Sequence, residues 1–320
     1  MDSFHAKMDQ YSFSYFNHED IKLTKRLGSG AIGEVHDAEI YIFDNNEPLE
    51  CIVKKMTSGN YNYKDDIYDD IINEITVGHK FMGSSNHLID YYGYCLFEEN
   101  KEVVIYLIME KLKDGLDLYD YLQQEKFWKE ISKKEYDTTK SNFANHDQDD
   151  RYWEYILPYK EKCKLTKEMC YALQEIHSRK ITHCDLKPNN MVCYTDSDNK
   201  KNIKLIDFGS SIEMKDKSRV KGDCELATPG YMPREMYDGI IDYKSDVYSL
   251  VVSIIDVWCG SIWGTSEKYS VCRKDVLNGW RRVKDEHHNF GAVLRPYLNT
   301  DVDNRPPLDY LIQKIETLLS

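Results

Sequence analysis

The rhythm of apolar and polar positions changes partway along the chain. From Ile21 it is extended: Ala38, Ile40 and Ile42 alternate with polar neighbours as one face of a strand requires. Asn45, Asn46 and Pro48 then mark a hairpin turn ahead of the apolar-rich LECIVKKM. Between Asp65 and Phe81, the residues Ile67, Ile71, Ile75 and His79 recur every fourth position, with Ile72 and Phe81 alongside, and that spacing predicts a helix. Two further strands are expected around His87–Phe97 and Glu102–Met109.

After Glu110 the pattern turns helical. LYDYLQQ opens a helix, and the polar stretch 125–150, acidic at its end, reads as a surface insertion. Tyr152 to Ser178 is expected to form one long amphipathic helix, with Leu165, Met169, Ala172, Leu173 and Ile176 on its apolar face. A short strand at Ile203–Ile206 and then helices to the end complete the reading. Val247–Cys259 is the richest apolar run; Asp256 interrupts it and it falls short of the roughly 18 residues a bilayer span needs, so it predicts a buried core helix. Residues 1–19 lack a clear period and are expected to be a loosely attached extension. A β-rich first third joined to a helical remainder predicts an α+β chain of two lobes with a cleft between them.

Charge and cysteine usage narrow the classes. A formal net charge of −13 argues against a nucleic-acid binder and leans toward basic partners, although such a charge more often serves solubility. Nine cysteines without a CxxC pair, behind a polar N-terminus (MDSFHAKMDQYSF), predict a reduced intracellular, cytoplasmic setting. Oligomeric state is left open.

Four segments carry chemistry. Leu27-Gly28-Ser29-Gly30-Ala31-Ile32-Gly33-Glu34-Val35 is a GxGxxG followed by valine. Alone that spacing also serves dinucleotide folds, but those need a helix directly after the glycines, and here a strand and hairpin follow. Next, Ile52-Val53-Lys54 ends an apolar strand with a lysine. Either Lys54 snorkels to solvent, or it pairs with Glu74 on the apolar face of the following helix; Lys55 must point the other way, and Asp66, Asp69 and Asp70 read as solvent-facing. In ITHCDLKPNNM, Asp185 can orient a hydroxyl, Lys187 can meet a phosphoryl group and Asn190 can offer an amide oxygen to a hard cation; the plain alternative is a polar loop capping a helix. Last, Leu205-Ile206-Asp207-Phe208-Gly209 ends an apolar strand with a carboxylate able to hold Mg²⁺.

In this order the four motifs resemble the eukaryotic-type protein kinase family, over roughly residues 20–318. The resemblance implies a bilobal protein-kinase-like fold, with a small β-rich N-lobe holding one helix (about 20–110) and a larger, mainly helical C-lobe (about 111–320). It implies that ATP lies against Leu27, Gly28, Gly30, Gly33 and Val35, with Lys54, paired to Glu74, on its α/β-phosphates. Met109 falls at the gatekeeper position, Glu110 to Leu112 at the adenine-binding hinge, and Asp117 within reach of ribose or a substrate side chain. Asp185 becomes the catalytic aspartate, Lys187 the phosphoryl stabiliser, and Asn190 and Asp207 the ligands of Mg²⁺ (or Mn²⁺). Downstream, Ala227-Thr228-Pro229-Gly230-Tyr231-Met232-Pro233-Arg234-Glu235 resembles the end of an activation segment. There Thr228 belongs to the peptide platform, Glu235 pairs with Arg305, and Asp246 accepts catalytic-loop N–H groups; from the residues alone Asp246 reads as an N-cap.

The DLKPNN stretch resembles serine/threonine kinases, so the implied activity is transfer of the ATP γ-phosphoryl group to protein hydroxyls. A pseudokinase scaffold and a small-molecule kinase of similar fold are the alternatives. Acidic Asp117 and Asp120 suggest basic peptides as substrates. Three positions depart from the family pattern: Cys184 stands for an arginine, Ala227 for a glycine, and Pro-Arg-Glu for Ala-Pro-Glu. Cysteine cannot pair with an activation-segment phosphate, so control without that phosphorylation is expected.

Overall fold

The computed structural model describes residues 14–30, 33–41, 47–58, 64–80, 83, 85–131, 143–144, 152–222, 227–260 and 269–319. The chain divides into two compact units, Met1–Gly115 with Ile206–Gly209, and Leu116–Leu205 with Ser210–Ser320.

The first unit is built on β1 (Ser14–Tyr15), β2 (Ile21–Gly30), β3 (Gly33–Ile40), β4 (Leu49–Thr57), helix α1 (Lys64–His79), β5 (Tyr91–Glu99) and β6 (Glu102–Glu110). The strands form one sheet in the order β1-β5-β6-β4-β3-β2, antiparallel except for β1 beside β5. One face of the sheet gathers Ile21, Ala38, Ile40, Cys51, Val53, Val104, Tyr106 and Ile108 into a core. Side chains alternate along a strand, so Lys54, between Val53 and Lys55, leaves that core and points to the opposite face, where it is buried.

The extension is not loose over its described part. Ser14 and Tyr15 pair with Gly93 and Tyr94, Phe16 packs on the core, and the His18 ring lies 3.9 Å from that of Phe97. Gly93 permits this: a Cβ there would sit 2.1 Å from the Ser14 carbonyl oxygen. The strand expected from His87 starts only at Tyr91, because the Ser85 hydroxyl accepts from the His87 and Leu88 N–H groups and folds that stretch into a turn. In α1, Ile71 and Ile75 are fully buried; the side chains of Ile67 and His79, like Ile42, Asn45 and Asn46, lie outside the described residues.

The second unit opens with β7 (Leu116–Asp117) and α2 (Leu118–Leu122). Inside the polar insertion, β8 (Trp128–Ile131) and β9 (Phe143–Ala144) flank β10 (Tyr152–Tyr155) in an antiparallel sheet. The insertion thus contributes two strands, and the long helix expected from Tyr152 begins only at Tyr159, as α3 (Tyr159–Ser178). Pro158 is the reason: it disfavours helical geometry in the residue before it and lacks the N–H a helix interior needs, so it serves as N-cap. Beyond α3 come β11 (Ile181–Thr182), β12 (Met191–Thr195), β13 (Lys201–Leu205), β14 (Ile212–Glu213), β15 (Arg219–Lys221), α4 (Arg234–Tyr237) and β16 (Ile240–Asp242). They pair as β13-β12-β7, β11-β14 and β15-β16, so the stretch after residue 206 is not purely helical.

Helix α5 (Tyr243–Cys259) is the buried core helix, with α6 (Tyr269–Glu286), α7 (His288–Leu294) and α8 (Leu308–Leu318) completing the unit. Leu165, Met169, Ala172, Leu173 and Ile176 of α3 are all buried. Among the described residues no helix is long and apolar enough to cross a membrane.

Candidate active site

In the first unit the polar residues of the buried sheet face converge. Lys54 Nζ donates to Glu74 Oε2 on α1 at 3.0 Å and to Asp207 Oδ1 at 3.1 Å. Burial works against the Lys54 ammonium, but Asp207 and Glu74 outweigh it and hold its pKa above the ordinary lysine range. The snorkelling alternative is thus excluded, since the amine lies inside between two carboxylates. Asp207 holds a left-handed backbone, φ 63°, uncommon for a residue with a side chain. Its neighbours are fastened by Asn73 of α1, whose amide donates to the Gly209 carbonyl at 2.7 Å and the Phe208 carbonyl at 3.4 Å.

The glycine-rich motif forms the β2–β3 hairpin, with Gly28 opposite Val35 and Gly30 opposite Gly33; Ala31 and Ile32 lie outside the described residues. A Cβ on Gly33 would fall 2.3 Å from the Lys55 carbonyl oxygen, so only glycine lets the hairpin cross β4 this closely. Leu27 is exposed, and Val35 pairs with Lys54 across the β3–β4 ladder. Met109 is buried on β6, opposite Ile52 and Tyr91. At the expected hinge, the Glu110 N–H donates to the Asp90 carbonyl at 2.9 Å and the Leu112 carbonyl accepts from Gly115 at 3.1 Å.

In the second unit Asp185 is the centre. Its Oδ2 accepts from Lys187 Nζ at 2.7 Å and from Asn190 Nδ2 at 2.9 Å, and its Oδ1 accepts from the Thr228 N–H at 2.9 Å. Lys187 also donates to Thr228 Oγ1 at 2.6 Å, so the catalytic-loop motif and the TPGYM segment share one network. The loop is held from below by Asp246, whose carboxylate accepts from the His183 N–H (2.7 Å) and the Cys184 N–H (3.0 Å), with His177 Nε2 at 2.9 Å. These bonds fix Cys184 at φ 66°, in the left-handed region like Asp207. The N-cap of α5 is Asp242, in a reciprocal box with Ser245, and not Asp246.

Glu235 and Arg305 form a forked ion pair at 2.5 and 2.8 Å, with Arg305 fully buried and Ser245 Oγ donating to Glu235 at 2.8 Å. Asp117 caps α2, accepting from the Asp120 N–H at 2.9 Å. Burial pushes its carboxyl from 3.8 up to about 6, against the pull of the Asp120 N–H. A raised carboxyl value means the folded state binds the proton more tightly, so stability falls as pH rises from about 4 to 6. Asp117→Asn, which keeps a capping oxygen, is therefore expected to raise Tm at pH 7.5, with the gain vanishing below pH 4. Thermal melts across pH check this; a pH-independent difference would contradict it.

Two neighbours of the site carry no sequence motif, Asn73 and Tyr91. Gly78, in the last turn of α1, was the available signal, because a glycine within a helix costs up to about 1 kcal/mol against alanine. Among the described residues, no group of three or more His, Cys, Asp or Glu side chains is set to hold a metal alone. Mg²⁺ arriving on a nucleotide keeps waters and phosphate oxygens and needs only one or two protein donors. The Asp207 carboxylate in the first unit, 35% exposed, and the Asn190 amide in the second are hard oxygen donors of that kind.

The family model for the protein kinase domain matches residues 21–314. Among curated proteins the chain is similar to the ovarian-specific serine/threonine-protein kinase Lok of Drosophila melanogaster, 24% identical over 311 residues, covering 91% of this chain and 55% of the relative. It is similar to myosin light chain kinase family member 4 of Homo sapiens, 26% identical over 234 residues, 72% of this chain and 48% of the relative. It also resembles the serine/threonine-protein kinase RUNKEL of Arabidopsis thaliana, 36% identical over 110 residues, 31% of this chain and 8% of the relative. The chain spans no more than 55% of the length of any of these three. With the family matched over nearly its whole length, and the motif residues gathered as described within each unit, the chain belongs to the protein kinase family.

Proposed function

We propose that the chain is an active kinase that transfers the γ-phosphoryl group of ATP to serine and threonine hydroxyls of proteins, with Mg²⁺ as the accompanying metal. The observation that carries this is the environment of Asp185: a carboxylate held by three donors, one of them the lysine of DLKPNN. Such a carboxylate is fixed for orienting a hydroxyl and accepting its proton. Lys187 offsets charge on the transferred group, and Lys54, kept protonated by Glu74 and Asp207, does so on the α/β-phosphates. Mg²⁺ would supply charge neutralisation of the phosphates, with Asp207 and Asn190, each within its own unit, as the residues proposed to offer it oxygens. Retention of Lys54, Asp185 and Asp207 together favours turnover over a scaffolding role.

Serine/threonine specificity is supported by the Lys187–Thr228 bond and by the likeness to Lok and RUNKEL, both named serine/threonine-protein kinases. Phosphoamino-acid analysis of labelled product tests it: phosphoserine and phosphothreonine are expected, and phosphotyrosine alone would overturn it. A preference for basic peptides rests on net charge only, since Asp117 is engaged as a helix cap.

The same reading includes control without activation-segment phosphorylation. Cys184 is buried in an apolar cluster with Met214, Ala227, Met232, Met236 and Ile241, against which Val220 of β15 packs. The β15–β16 ladder and the ion pairs of Arg219 with Asp242 and Asp303 hold the same segment. Ordering by apolar contact and backbone pairing needs no phosphate. Phosphatase treatment and Ser218→Ala are each expected to leave kcat/KM within about twofold. Loss of activity on dephosphorylation would contradict this.

A further inference from the structure

We propose that Tyr91, seated in a notch left by Gly78, is a positioning residue that sets Lys54 through Glu74. The proposal rests on the kinase reading for the role of Lys54, but its geometry lies wholly within the first unit.

Gly78 stands one helical turn after Glu74 on α1, so both face the same side of the helix. A Cβ on Gly78 would lie 2.3 Å from Tyr91 Cδ2 and 2.5 Å from Cε2. The ring therefore occupies the space that any other side chain at 78 would take. From that notch the Tyr91 hydroxyl donates to Glu74 Oε1 at 3.0 Å, and the Asp207 main chain is hydrogen-bonded to the same hydroxyl. Glu74 is left with Oε2 for Lys54. Burial, together with the Glu74 charge, keeps the Tyr91 phenol neutral, so it remains a donor throughout the working pH range.

The consequence is a division of labour on one carboxylate. With Oε1 held by Tyr91, Glu74 has one orientation in which Oε2 faces Lys54. Without the hydroxyl, the buried carboxylate has an unmet acceptor and is no longer held in that orientation, so the hold of Oε2 on Lys54 loosens. The ring also interlocks α1 with β5, because the helix cannot rotate or slide without pulling the notch off the tyrosine. Tyr91 lies beside Phe208 as well, ring centroids 6.1 Å apart, so one side chain touches α1, β5 and the Asp207-Phe208-Gly209 segment. The Lys54–Glu74 pair is thereby built in by the sequence and does not wait on a partner or a phosphate to move α1.

The test uses the full chain with Tyr91→Phe, which keeps the ring and removes only the hydroxyl. Tyr92→Phe is the control, since Tyr92 packs on the opposite core face. The amine of Lys54 is labelled with N-hydroxysuccinimidyl acetate and read by mass spectrometry against the exposed Lys22 of the same chain. Loss of one hydrogen bond to a buried carboxylate corresponds to about a tenfold change, so Tyr91→Phe is expected to label Lys54 about tenfold faster and to lower kcat about tenfold. Gly78→Ala, which displaces the ring, is expected to accelerate labelling as well. A merely structural tyrosine would change Tm but not the labelling ratio in the folded protein. Unchanged Lys54 labelling in Tyr91→Phe, or an equal rise in Tyr92→Phe, overturns the proposal. If the wild type transfers no phosphate, the kinase reading fails, and the labelling comparison still decides the role of Tyr91.

Discussion

Asp185→Asn is expected to lower phosphoryl transfer by about a thousandfold while the protein stays folded. The reason is visible in its partners. Three donors point at the carboxylate, the Thr228 N–H at Oδ1 and the Lys187 ammonium and Asn190 amide at Oδ2. An asparagine must present its own NH₂ to one side, so at least one donor meets another donor. On the proposed mechanism it also removes the base that takes the substrate proton. The lost hydrogen bonds cost about 1–3 kcal/mol of stability, small beside the effect on rate. Initial rates and circular dichroism on the same preparation separate the two. A variant within tenfold of wild type would remove Asp185 from the catalytic role.

Arg305→Ala is expected to produce the largest loss of stability, about 3–5 kcal/mol. Arg305 is 1% exposed and forks onto both oxygens of Glu235, with further bonds to the Asn299 and Lys244 carbonyls and the Tyr248 ring 5.0 Å away. Truncation leaves the Glu235 carboxylate buried with Ser245 as its remaining donor. Arg305→Lys should recover only part of the loss, because one ammonium cannot make the fork. Lys22→Ala, which breaks an exposed pair with Glu39, is the comparison and should cost far less. Urea unfolding midpoints check this; an Arg305→Ala cost no larger than that of Lys22→Ala would contradict it.

What the sequence made legible was the part where residue type and spacing encode the chemistry directly. Lys54 and Glu74 could be named because buried charge is costly, so an apolar strand and helix that carry it stand out, whereas Asp185, Asn190 and Asp207 were named from the ITHCDLKPNNM and LIDFG motifs. Helix α5 and the apolar face of α3 were legible from periodicity. The start of α3 was not, because the aromatic-rich YWEYI fits either period and the weight of Pro158 was missed. Strand β12 escaped because Met191-Val192-Cys193 follows the catalytic loop without a turn signal of its own. From the residues alone Asp246 reads as a cap, and its bonds to the His183 and Cys184 N–H groups were implied only by the family resemblance, because those partners are more than sixty residues away and sequence spacing carries no record of that contact. Tyr91 was hidden in the same way, with Gly78 as its only local trace.

The most direct measurement is transfer of label from [γ-³²P]ATP with Mg²⁺ to a protein substrate, comparing wild type with Lys54→Met. Lys54 pairs with both Glu74 and Asp207, and methionine keeps its length without its charge. Label on serine and threonine with wild type, and none above background with Lys54→Met, is the expected result. Equal incorporation by both proteins, or none by either, would contradict the account.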